Sequence, residues 1–144
     1  PHALLMFIAM FLSNLTLSLA IFGFKSYRLA GVITTICLFA GGLVFGPMVQ
    51  HHALGAYWTG FPFGFDLTDN KTLIAFIFWV VAVAFNIKKE RRFLTILAAL
   101  VMLLIFTIPH SSRGSELDPE TGKIKTGMVI PSAGRTDSHL NAYA

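Results

Sequence analysis

Residues 4–50 read LLMFIAMFLSNLTLSLAIFGFKSYRLAGVITTICLFAGGLVFGPMVQ, and this stretch decides the fold. It holds two uncharged apolar runs, Leu4 to Phe24 and Leu29 to Gln50. The short basic break Lys25-Ser26-Tyr27-Arg28 separates them. A helix rises about 1.5 Å per residue, so runs of roughly 20 residues cover the roughly 30 Å hydrocarbon core of a bilayer. Two such runs joined by a four-residue basic turn read as a transmembrane hairpin.

Working outward, two further uncharged runs follow, Thr72 to Ile87 and Phe93 to Ile108, around the basic turn Lys88 to Arg92. Each is about 16 residues long, or about 24 Å as helix, and crosses only if its ends extend into the interface. Lys88 and Arg92 are long enough to snorkel, and neither run has a polar face to offer water. The expected fold is therefore an all-α integral membrane protein with four transmembrane helices in two antiparallel hairpins. The helices fall at 4–24, 29–50, 72–87 and 93–108, inside a membrane domain covering 1–109. After Pro109 the composition turns to Ser, Gly, Pro and charged residues, so 110–144 reads as an irregular extramembrane tail.

The bulk numbers agree. The chain has 144 residues, of which 55% are hydrophobic and 12% charged, with 14 Phe and a mean hydropathy of +0.69. A soluble domain carries about 25% charged residues. A disordered chain, a disulfide-rich secreted module and a nucleic-acid-binding domain are excluded on composition. The single cysteine, Cys37, lies in an apolar run, has no partner in the chain and reads as a small buried hydrophobe. The sequence opens on Pro1 rather than Met, as a processed or incomplete N-terminus does. Nothing basic precedes the first run, so it does not read as an ordinary signal peptide.

Basic residues set the expected orientation. Lys25 and Arg28 in one turn, and Lys88, Lys89, Arg91 and Arg92 in the other, belong on the cytoplasmic side. The loop 51–71 and both ends of the sequence then lie outside, with a bacterial inner membrane as the expected location. The expected partners are the lipid bilayer and other membrane subunits, and nucleic acid is not among them.

Several residues carry chemistry. Gly42 and Gly46 form a GxxxG, whose usual meaning is close helix packing. Asn14 and Ser18 share one face of the first helix, where an interhelical hydrogen bond is expected. Pro47 should kink or end the second helix near the outer surface. Thr68 or Asp69 reads as the N-cap of the third. None of the four runs contains Asp, Glu, Lys or Arg, which argues against a self-sufficient pump or ion-coupled carrier.

The most distinctive stretch is the loop from His51 to Thr72, in which Tyr57, Trp58, Phe61, Phe63 and Phe65 alternate with Gly and Pro. Tyr and Trp in such a loop belong at the membrane interface. In this topology His51, His52 and His110 fall on the same side. Facing imidazoles could ligate haem b or a chlorophyll-type pigment, or with Asp66 a small metal. His51, Tyr57, Trp58 and Asp66 also offer the polar edge that a quinone site needs. Yet these histidines sit at helix ends, where His is ordinary, and no HxxxH or HExxH spacing occurs. No GxSxG, P-loop or dinucleotide-binding glycine pattern occurs either, so the chain is not read as an enzyme by itself. The leading expectation is a non-catalytic accessory or structural subunit of a larger respiratory or photosynthetic membrane complex. The alternative is a small electron carrier using the outer histidines.

Overall fold

The computed structural model describes residues 1–64 and 66–108, and the backbone of 116–117 and 124–125. Helix α1 runs His2–Phe22. Helix α2 (Tyr27–Leu38) continues through a π-helical segment, Phe39–Phe45, into α3 (Gly46–Leu54). Helices α4 (Leu67–Lys88) and α5 (Arg92–Thr107) complete the helical part. Strands β1 (Glu116–Leu117) and β2 (Ile124–Lys125) pair antiparallel, Glu116 opposite Lys125. Apart from that pair, the tail 110–144, with His110, lies outside the described residues.

Three helical stretches are long and apolar enough to cross a membrane: His2–Phe22, the continuous Tyr27–Leu54, and Leu67–Lys88. Apart from the short strand pair the described residues fold as helices, and these three spans mark the chain as an integral membrane protein by length and composition. Helix α5 is apolar but has 16 residues, short of a full crossing on length alone.

The third stretch is longer than its uncharged run because Asp66 caps it. The Asp66 carboxylate accepts from Thr68 N at 2.7 Å, so α4 starts at Leu67 rather than Thr72. The expected cap at Thr68 or Asp69 is thereby corrected by two or three positions. The longer helix also takes in Lys71, which is 4% exposed, so a charge does lie within an apolar helix.

Of the two outcomes expected at Pro47, the helix is locally distorted rather than ended. Pro47 lacks an N–H, and its ring presses on the preceding turn. That turn responds by widening into the π-helical segment, in which Gly46 N donates to Gly41 O. Helix then resumes with Pro47 in its first turn and runs on to Gly55, which closes α3 at φ +75.

Packing follows side-chain size rather than polarity. Along α1 the buried residues are Ala9, Ser13, Thr16 and Ala20, alternately four and three apart. On α4 the same spacing gives Ala75, Trp79, Ala82 and Asn86, and α5 contributes Thr95, Ala98, Ala99 and Met102. Large apolar residues face outward instead, among them Phe7 at 72%, Phe11 at 70% and Leu104 at 67% exposure. Lipid gives no hydrophobic push between helices, so close backbone approach through small residues does the joining. Helix α1 lies against α2 and α5, and α4 against α5 and α2. Tyr27, Leu38 and Met102 are large exceptions, and Trp79 is the largest. Its indole is fully buried beside Gly31, and its N–H donates to Met102 Sδ at 3.2 Å.

Candidate functional site

Polar side chains gather at the two ends of the helices. At the end holding the basic turns, Asn86 is the hub. Its Oδ1 accepts from Tyr27 Oη at 2.8 Å and from Arg91 N at 2.9 Å. Its Nδ2 donates to Ala82 O at 2.7 Å and approaches Thr95 Oγ1 at 3.2 Å. Arg28 donates to the carbonyls of Asn86 and Ile87, in the last turn of α4, where a cation is favoured by the helix dipole. A cavity of about 180 Å³ beside this hub is lined by Tyr27, Arg28, Trp79, Asn86 and Thr95, among others. One buried amide thus ties α2, α4 and α5 together.

At the other end the loop between α3 and α4 folds over itself. Thr59 is its hub. Gln50 Nε2 donates to Thr59 Oγ1 at 2.5 Å, and that hydroxyl lies 2.9 Å from Asp66 Oδ2 and 3.2 Å from Asp69 Oδ2. Thr59 N donates to Asp69 Oδ2 at 2.7 Å, and Asp66 N to Thr59 O at 3.1 Å. Asn70 accepts from Phe61 N at 2.7 Å, and Trp58 Nε1 donates to Phe61 O at 3.1 Å. Gly60 lets the loop approach α4, since a Cβ there would press on Asp69 and Asn70. The buried Lys71 donates to Ile108 O at 2.6 Å, beyond the C-terminal end of α5, where free carbonyls favour a cation.

The two carboxylates therefore act as latches. Asp66 is buried and receives the Thr68 N–H on one oxygen while its other faces Thr59. Both sit at the positive end of the α4 dipole. With its polar groups turned inward, the loop presents aromatics outward: Tyr57, Phe61 and Phe63 are 60%, 65% and 84% exposed.

The predicted site residues are placed as follows. His51 is half-buried and stacks on Tyr57, ring centroids 4.0 Å apart, while His52 is exposed with its ring 6.1 Å from that of His51. Among the described residues no group of three His, Cys, Asp or Glu is arranged to hold a metal ion. Asp66 is drawn into the Thr59 cluster and Trp58 bonds Phe61 O, so the polar groups of these two are used in clasping the loop. Asn14 and Ser18 are exposed and bond back to Met10 O and Asn14 O on their own helix, at 2.9 and 3.1 Å. Gly42 is buried against Thr72 of α4, whereas Gly46 is looser, near His2.

Sequence reading passed over Thr59, Gln50, Tyr27, Asn86, Lys71 and His2. His2 Nδ1 meets Gly41 O at 2.8 Å, a carbonyl of the π-helical segment. A lone Asn in the apolar run 72–87 was the available signal for Asn86, because an amide at that depth needs partners. Among the described residues no buried side-chain nitrogen or oxygen lacks a hydrogen-bond partner. No protein-family model matches the chain, and no curated protein or solved structure matches it.

Proposed function

We propose that the chain is an accessory, structural subunit of a larger membrane complex. The observation that carries this reading is the outer loop. Its polar groups are spent on holding it rigid against α4, and it displays Tyr57, Phe61 and Phe63 outward. A fixed loop presenting exposed aromatics is suited to a partner, because aromatics dominate the cores of protein interfaces and a preordered loop loses little entropy on docking. The host is read as a respiratory or photosynthetic electron-transfer assembly in a bacterial inner membrane.

In this reading α5 is a fourth crossing, its 16 residues extended by the flanking interface. The helices then form two antiparallel hairpins. The turns carrying Lys25, Arg28, Lys88, Lys89, Arg91 and Arg92 are cytoplasmic, and the 51–71 loop is outside.

The test is solubilisation from the native membrane in mild detergent, followed by native electrophoresis and absorption spectroscopy of the complex. Wild type should migrate with larger partners. Phe61→Ala/Phe63→Ala should migrate alone, with helicity retained. Migration of wild type as a lone chain after gentle cross-linking would refute the proposal. A featureless visible spectrum of the intact complex would remove the electron-transfer host. Cysteines placed at Lys25, Lys89 and Phe61 should be labelled by an impermeant maleimide from opposite sides of the membrane, the first two from one side and the third from the other.

A further inference from the structure

At the end of α4, Lys88 and Lys89 with Arg91, the residue preceding α5, line a cavity of about 480 Å³ whose remaining wall is Ala84 and Phe85. We propose that these three cations bind the phosphate of one anionic phospholipid, whose acyl chains lie along the outward face of α4. The proposal rests on the reading that α4 crosses a membrane.

The argument starts from charge. The two basic turns hold Lys25, Arg28, Lys88, Lys89, Arg91 and Arg92 against a single acid, Glu90. Glu90 lies 3.7 Å from Arg92, so it is engaged away from the cavity cations. Arg28 is occupied by the carbonyls of Asn86 and Ile87. The other acids whose side chains are described, Asp66 and Asp69, belong to the clasp at the opposite end of α4. Among the described residues, Lys88, Lys89 and Arg91 have no carboxylate within ion-pair distance, and no protein acceptor receives their side-chain N–H groups. All three are exposed.

Geometry then selects the ligand. The Arg91 guanidinium lies 5.6 Å from the centre of the Phe85 ring, which orients its planar donor fork without using those donors. Three cations around one cavity demand a compact anion of high charge density, and an arginine fork matches phosphate oxygens. The floor is apolar, and the same face of α4 continues so at four-residue spacing: Phe85 is 51%, Val81 41% and Ile77 50% exposed. A free phosphate would leave that surface unused. A ligand with a phosphate head and hydrocarbon tails uses both, and basic pockets at helix ends on the membrane surface hold such heads.

The experiment is native mass spectrometry of the full chain in mild detergent, titrated with phosphatidylglycerol or phosphatidylcholine of identical acyl chains. One phosphatidylglycerol should remain bound per chain where phosphatidylcholine does not. At about 1 kcal/mol per basic residue, Lys88→Gln, Lys89→Gln or Arg91→Gln should each weaken binding roughly fivefold, and the triple variant on the order of a hundredfold. Lys25→Gln, an exposed cation at the same end outside the cavity, should bind as wild type does. Circular dichroism checks that each variant folds, and the single variants decide the matter if the triple does not. Equal retention of phosphatidylcholine, undiminished binding in all three single variants, or an equal loss in Lys25→Gln would overturn the site. Displacement of the lipid by an equimolar amount of inorganic phosphate would assign the cavity to free phosphate instead. Failure of maleimide labelling to place the basic turns and the 51–71 loop on opposite sides would remove the membrane reading itself, an outcome separate from these.

Discussion

Gly42→Ala is the sharpest test of the helix packing. Gly42 is buried, and a Cβ added there would overlap the γ-methyl of Thr72 on α4, closer than the 3.0 Å that real Cβ atoms keep. That methyl cannot simply turn away. Thr72 is 8% exposed, and its hydroxyl donates to Thr68 O at 3.1 Å, which fixes its rotamer. Either α4 moves or the hydroxyl bond breaks. Overpacking of this kind costs about 1–3 kcal/mol. Replacing Gly by Ala within a helix returns about 1 kcal/mol, leaving a net loss of up to about 2 kcal/mol. Gly46 provides the contrast. A Cβ there meets nothing nearer than 3.6 Å, ordinary contact distance. Gly46→Ala should therefore be neutral or stabilising by up to about 1 kcal/mol. The assay is unfolding in mixed micelles with increasing denaturing detergent, followed by circular dichroism. Thr72→Ser removes the methyl and keeps the hydroxyl, so in the Gly42→Ala background it should recover most of the loss, with a coupling of about 1–2 kcal/mol. If Gly42→Ala is as stable as Gly46→Ala, or Thr72→Ser brings no recovery, the contact is not what holds α4 against the π-helical segment.

Asn86→Ala should cost about 2 kcal/mol or more in the same assay, because it strands the buried Tyr27 hydroxyl and the Arg91 N–H. Adding Tyr27→Phe should recover part of that cost. Thr59→Val keeps shape but removes the hydroxyl between Gln50, Asp66 and Asp69. It should speed protease cleavage and amide exchange within 57–66 by about tenfold, corresponding to a local loss of about 1.4 kcal/mol, and leave exchange in α1 unchanged. Lys71→Met removes the donor to Ile108 O, so amides in the last turn of α5 should exchange faster, while unchanged rates would show that the ammonium does not hold that end.

Individual residues show what the sequence made legible. Leu4 to Phe24 reads as a spanning helix because an uncharged run of that length has no other way to satisfy its backbone in lipid. The helix accordingly covers His2–Phe22. The uncharged run begins at Thr72, five residues after the start of α4, because Lys71 interrupts it, whereas the cap at Asp66 carries the helix through that charge. Pro47 in the sequence predicts a kink or an end, because a proline removes one bond. The sequence does not show that a turn containing Gly41 and Gly42 widens to absorb it. The loop histidines are potential ligands by residue type, whereas the neighbouring Thr59, whose type signals nothing, is the hub through contacts with residues up to ten positions away.

Composition and run length alone determined the class: too little charge for a soluble surface, apolar runs of spanning length, and short basic turns between them. These follow from local transfer energies, which add along the chain and need no partner. Which face of each helix turns inward was a tertiary decision. No helix has a polar face to guide it, so the choice rests on where small residues let backbones approach, as at Ala9, Ser13, Thr16 and Ala20 on α1. The pairing of Asn86 with Tyr27, 59 positions apart, and of Lys71 with Ile108, 37 apart, was decided there too. A buried donor must find whichever acceptor the packing brings within about 3 Å, and that acceptor is set by the assembled helices rather than by its distance along the chain.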